Sequence, residues 1–100
     1  MIAVSIKFMM YLQSAADLAM GKKEVTVELE EGTTFGGLLE GLERNFGPDL
    51  AKEIYDPQAR SLKEAVLALI NGTHSHNLNG TDTALHQGDS IVFVPLIYGG

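Results

Sequence analysis

Residues 2–10 alternate with a period of two. Ile2, Val4, Ile6, Phe8 and Met10 share one face, and Ala3, Ser5, Lys7 and Met9 share the other. That pattern predicts a strand with one firmly buried side. Residues 11–23 are less regular. Ser14 is placed to cap a short helical piece running to Met20, with Gly21 ending it. Val25, Val27 and Leu29 then alternate with Glu24, Thr26, Glu28 and Glu30, a second strand with an acidic outer face. The two strands are expected to form an N-terminal antiparallel pair. After Glu31-Gly32, with Thr33 or Thr34 as the cap, the period changes. Phe35, Leu38, Leu39, Leu42 and Phe46 fall at the spacing of one apolar helical stripe, which Gly47-Pro48 stops. A further helical stretch is predicted over 49–55, ended by Asp56-Pro57.

The run 65–70 is apolar throughout and ends at Asn71-Gly72, as expected of an interior strand covered on both faces. A short polar strand is predicted around 73–78. Gly88-Asp89 then leads into a last apolar run over 91–97. The order is β-β-α-β-(β)-β, an α+β arrangement in which one main helix covers one face of a mixed sheet of four to five strands. The first and last strands are the most apolar, so they are expected at the centre, paired parallel across the long connection.

Composition narrows the function. The chain has 100 residues, 45% hydrophobic and 20% charged, the size and balance of one globular domain. It has no cysteine, which removes disulfides, thiolate metal sites and a cysteine nucleophile, and fits a reducing cytoplasm. The net charge of −6 repels phosphate backbones, so no nucleic acid is expected as a partner. No apolar run approaches the roughly 20 residues of a membrane span. Asn71-Gly72-Thr73 and Asn79-Gly80-Thr81 match the glycosylation pattern, but Asn-Gly is first of all a turn dipeptide. His74-Ser75-His76 sets two imidazoles on one strand face without a third ligand, so no metal site is expected. Gly36-Gly37 lacks the following lysine of a phosphate loop and reads as a close-packed or flexible first helical turn.

Three stretches carry a family resemblance. Gly32-Thr33-Thr34 leads into Leu38-Leu39 and Leu42. Leu69-Ile70-Asn71-Gly72 joins a buried strand to a turn. Most specific is the segment from Thr83 through Leu85, Gly88-Asp89, Ile91, Phe93 and Pro95 to Gly99-Gly100. Together they resemble the ubiquitin-like sulfur carriers, above all the small subunit of molybdopterin synthase, and next its relative in thiamine biosynthesis. The sequence departs from the small subunits at Leu96, where a second proline is common, at Tyr98, where a small residue is common, and near Leu12-Gln13, where an arginine is often found. The segment 47–63 is also longer than in the thiamine-type carriers.

The resemblance implies a β-grasp domain over 1–95 and a flexible tail over 96–100. It implies a carrier that is not itself a catalyst and binds no cofactor. An E1-like activating enzyme would use ATP to adenylate the carboxylate of Gly100, and sulfur would then replace the adenylate to give a thiocarboxylate. The acceptor would be the large subunit of molybdopterin synthase or another sulfur acceptor enzyme. Glycine suits the tail because it has no Cβ to obstruct a narrow site. Gly99, Tyr98, Ile97, Leu96, Pro95 and Phe93 are the expected partner contacts, with Pro95 helping to release the tail from the sheet. The apolar last strand is expected to be partly exposed as a docking surface. Sulfur delivery for thiamine or amino-acid synthesis, a lysine-conjugating modifier and an inert interaction module share much of this pattern.

Overall fold

A computed structural model describes residues 1–21 and 24–96. In chain order the sheet-forming elements are β1 (Ile2–Phe8), β2 (Glu24–Leu29), β5 (Val66–Ile70), β6 (Thr73–His74) and β7 (Ser90–Pro95). They form a five-stranded mixed sheet in the order β2-β1-β7-β5-β6. β1 and β7 pair in parallel near its centre, with Ile6 opposite Ile91 and Phe8 opposite Phe93. The remaining pairings are antiparallel. A separate two-stranded piece joins β3 (Tyr55–Asp56) to β4 (Ser61–Leu62).

Alternation decides which face is buried. Ile2, Val4, Ile6 and Phe8 of β1 point into the core, as do Val66, Ala68 and Ile70 of β5 and Ile91, Phe93 and Pro95 of β7. Helices α1 (Tyr11–Met20), α2 (Phe35–Glu40), α3 (Leu42–Phe46) and α4 (Pro48–Ile54) supply the other wall of that core. The predicted stripe Phe35, Leu38, Leu39, Leu42 and Phe46 is buried in full. Two aromatic contacts knit the wall to the sheet, Phe35 stacking near Phe93 at 6.2 Å and Phe46 meeting Phe8 edge-on at 6.0 Å, and within the sheet Phe93 stacks near Phe8 at 5.8 Å.

Four expectations change. The main helix is broken at Gly41 into α2 and α3, while the Asn45 amide still donates to the Gly41 carbonyl at 3.0 Å. α1 begins at Tyr11, three residues before Ser14, because Met10 turns the chain with φ 55 and the Leu12 and Gln13 amides bond back to Met9 and Met10. Ser14 is thus inside the helix, whereas Gly21 ends it as expected, in the left-handed region with φ 71. β5 is interior in the sheet but covered on one face only, since Leu67 and Leu69 stay partly exposed. The segment 47–63 supplies Leu50, Ala51 and Ile54 to the core, so it packs on the helical side and leaves the other sheet face open. The polar strand after β5 is also shorter than predicted, giving way to a 3₁₀ turn over Ser75–Asn77.

The two Asn-Gly dipeptides turn the chain differently. Ile70 pairs with Thr73 across Asn71 and Gly72, whose φ values of 52 and 83 are the double positive pair of a two-residue hairpin. Asn79-Gly80 instead opens a 3₁₀ turn over Gly80–Asp82. That turn lies against the start of α2, where a Cβ on Gly36 would stand 3.0 Å from both Cβ and O of Thr81. Close packing therefore explains the first glycine of the pair.

Truncating the central ring tests this packing. Phe93→Ala is expected to lower stability by about 3–5 kcal/mol, read as a lower urea midpoint at unchanged slope. A loss under about 1 kcal/mol would contradict the stacked placement.

Candidate functional site: the last strand and its exit

β7 is fixed first at its entry. The His86–Asp89 turn closes with the Asp89 amide donating to the His86 carbonyl at 3.1 Å, and Gly88, at φ 85, donates to Ala3 O at 2.8 Å. The Asp89 carboxylate accepts from the His86 amide at 2.8 Å through Oδ2 and from Asn71 Nδ2 at 2.9 Å through Oδ1. Asn71 Oδ1 accepts from the Ser90 amide at 2.9 Å, and the Asn71 amide donates to Ser90 O at 2.7 Å. Asn71 and Asp89 thus lock the hairpin turn to the start of β7. These are the residues of the two sequence stretches, strand-to-turn and Gly-Asp, that carried the resemblance. Their joint role was not legible, because 18 positions separate them.

The exit is built from the same backbone alternation. Ser5 and Met9 of the first strand's run donate to Asp89 O and Phe93 O, so odd-numbered residues of β7 turn their backbone toward β1. Even-numbered residues turn toward β5, as the Leu96 amide does to Ala65 O at 2.7 Å. Pro95 therefore lacks its N–H on the β1 side, where β1 has already ended and Met9 O accepts from Leu12. No ladder bond is lost there. This corrects the expectation that Pro95 releases the chain: Pro95 is buried, pairs with Val66, and is followed by one more bond to β5.

The expected partner contacts separate accordingly. Phe93 is wholly buried between Phe8 and Phe35, so it shapes the strand from inside and is not a surface contact. Pro95 also faces inward. Leu96 is 41% exposed and free to meet a partner. Ile97, Tyr98, Gly99 and Gly100 lie outside the described residues. Alternation divides the apolar run of the last strand: Val92 and Val94 face the open side. Across the ladder Val94 stands opposite Leu67, and Val92 opposite Leu69 and Lys7. These four partly exposed apolar side chains form one stripe across two strands, bordered by Lys7.

Beside the exit lies a hollow of about 320 Å³, lined in part by Leu62, Lys63, Leu67, His74, His76 and Leu96. The two histidine rings sit 4.7 Å apart. His74 Nδ1 accepts from the His76 amide at 3.0 Å, which in the neutral ring leaves the proton on Nε2. That ring offers a donor, not a lone pair, on its other nitrogen. Among the described residues no group of three or more His, Cys, Asp or Glu side chains is placed to hold a metal ion. Among them, too, no helix is long and apolar enough to cross a membrane.

A five-stranded mixed sheet wrapped over helices on one face, with its first and last strands adjacent and parallel, is the β-grasp of ubiquitin-like proteins. A family model described as the ThiS family matches residues 9–100, and the chain belongs to that family of ubiquitin-like sulfur carriers and modifiers. It is similar to a ubiquitin-related modifier 1 homolog from Drosophila willistoni, 27% identical over 104 residues that cover 98% of this chain and 99% of that one. Among solved structures it is similar to small archaeal modifier protein 1 from Methanosarcina acetivorans, at 25% identity and a TM-score of 0.74, covering 100% of this chain and 98% of that one. It shares its fold with a Pyrococcus furiosus protein assigned as molybdopterin converting factor subunit 1. There the identity is 22% and the TM-score 0.68, over 97% of this chain and 100% of that one.

The entry clamp can be tested by its two separate contributions. Asn71→Gly keeps the backbone freedom but loses both side-chain bonds, and is expected to lower stability by about 1–2 kcal/mol. Asn71→Ala adds the strain of a positive φ and should lose about 1 kcal/mol more. Urea unfolding in which Asn71→Gly matches the parent would remove the clamp from the account, and alanine ranking equal to or above glycine would remove the backbone strain.

Proposed function

We propose that this chain is a sulfur carrier for molybdopterin synthesis, the small partner of a two-subunit synthase. An E1-like enzyme would bring ATP to it. The Gly100 carboxylate would attack the α-phosphorus and release pyrophosphate, and a hydrosulfide equivalent would then displace AMP at the carbonyl carbon to leave a thiocarboxylate. The chain supplies no base or nucleophile of its own in this scheme. Its contribution is presentation. The domain would span 1–95 and the tail 96–100, with Tyr98, Ile97 and Leu96 guiding Gly99 and Gly100 into the partner's site.

The observation that carries this reading is the conjunction of family and strand. The chain belongs to the ThiS family, and its last described residue, Leu96, is hydrogen-bonded at the sheet's end and exposed. The partly exposed stripe of Leu67, Leu69, Val92 and Val94 offers an apolar seat for the acceptor subunit. A second reading, conjugation to lysines, is favoured by the modifiers among its relatives. It uses the same adenylate.

Intact mass spectrometry separates these readings. With an E1-like activating enzyme, ATP and a sulfide donor, the expected product gains the mass difference between sulfur and oxygen, and a chain lacking Gly100 stays unchanged. Adding the large subunit of molybdopterin synthase and its precursor should return the mass to the starting value as molybdopterin forms. Adducts joined to lysines in cell extract would move the assignment to a modifier, and an unmodified Gly100 in both assays would rule out both.

A further inference from the structure

β2 is an edge of the sheet, and no strand pairs with its outer side among the described residues. Backbone parity shows what that side offers. Ser5 and Met9 donate toward β7, so the odd-numbered residues of β1 bond in that direction. Its even-numbered residues, Ile2, Val4 and Ile6, therefore bond to β2, where they stand opposite Leu29, Val27 and Val25. It follows that Val25, Val27 and Leu29 turn their backbone inward. Glu24, Thr26 and Glu28 hold N–H and C=O groups that point out of the sheet.

The side chains divide by the same rule. Those of Glu24, Thr26 and Glu28 are exposed and lie on the open face. Val25, Val27 and Leu29 pack against the core on the helical side but stay only partly buried. An added strand would therefore find the carboxylates of Glu24 and Glu28 flanking Thr26 on one face, and partly uncovered apolar surface at the alternate positions on the other. Its complement is an extended segment alternating Lys or Arg with Val, Ile or an aromatic residue. Past Leu29 lies a mainly polar groove lined in part by Met1, Glu28, Leu29, Glu30, Thr33 and Arg44.

Charge also settles which strand fits. A second copy of β2, paired antiparallel about Thr26, would set Glu24 against Glu28 on both sides of the centre, a repulsive register. Lys7 stands opposite Glu24, so the most acidic end is that of Glu28, continued by Glu30 and Glu31. We propose that the β2 edge is a docking strand for a basic, extended segment of a partner protein, held by strand addition. The site is distinct from the exit of β7, which is separated from it by β1.

The test uses the full chain, ¹⁵N-labelled, and a short capped peptide alternating lysine and valine. The expected result is that the Thr26 and Glu28 amides lead the shift changes and exchange more slowly with solvent, while a glutamate–valine peptide of equal length leaves them unmoved. Thr26→Pro removes an outward donor without removing a bond to β1, and should weaken binding by about tenfold. The doubly reversed variant Glu24→Lys/Glu28→Lys keeps every backbone group and should weaken it at least as much, with most of the loss disappearing at high salt. Thermal unfolding matching the parent establishes that each variant is folded. Shift changes centred on Val92 and Val94, equal binding of the acidic peptide, concentration-dependent self-association through β2, or unreduced affinity in the charge-reversed variant would each overturn the proposal. No activating enzyme enters the experiment, so its outcome is independent of the chemistry at Gly100.

Discussion

The parallel pairing of β1 with β7 is the constraint on which the rest of the molecule depends. It joins segments more than 80 residues apart, as in the Ser5–Ser90 register, and it places Phe8 beside Phe93 in the middle of the core. Closing so long a connection is entropically unfavourable. The offset comes from burying Ile6, Phe8, Ile91 and Phe93 together, all at zero exposure. Everything outside that pair is then positioned by it. β2 is added on one side and β5 on the other, and α2 lays Phe35 on the same ring that β7 contributes. The last strand is therefore the strand hardest to displace.

Much of this was legible in the sequence because period and burial coincide. The alternation holds over residues 2–8, the stripe from Phe35 to Phe46 is buried as it reads, and Asn71-Gly72 makes its turn, whereas Met10, expected on the buried face, leaves the strand at φ 55 and is exposed. The losses fall where a local pattern has two solutions. An unbroken apolar run such as 65–70 reads the same whether one or both faces are covered, and only the placement of the helices and of 47–63 on a single side decides it. Met10 gave no sign of starting a helix, since a positive φ at methionine has no sequence signature. Gly41 sits within a sound apolar stripe, and the stripe survives the break because Leu38 and Leu42 still face the same core.

The candidate site was legible to the same degree and for the same reason. The end proposed to carry the chemistry follows from the resemblance, and the strand before it from its hydrophobicity. What hydrophobicity could not supply was parity. Phe93 and Val92 are adjacent apolar residues with opposite fates, one in the core and one on the open face, and the choice is set by pairing to Phe8 and Lys7. The Asn71–Asp89 clamp was invisible because each residue has a sufficient local explanation, a hairpin turn for one and a Gly-Asp turn for the other. Their bonds to each other appear only after β5 and β7 are aligned.

Parity also explains why a proline can stand at the end of the strand that matters most. In a central strand each residue bonds to one neighbour only, and a residue whose neighbour has already turned away has no bond to lose. β1 stops at Phe8 and its chain enters α1 through Met9 and Met10, so the position facing that gap on β7 is free for Pro95. The next residue faces β5, which still has Ala65 to accept its amide. The departure of β1 thus ends pairing on one side of β7, while the other side holds as far as Leu96. The α1 helix, which looks like an insertion between two strands, sets the point at which β7 loses its neighbour on the β1 side.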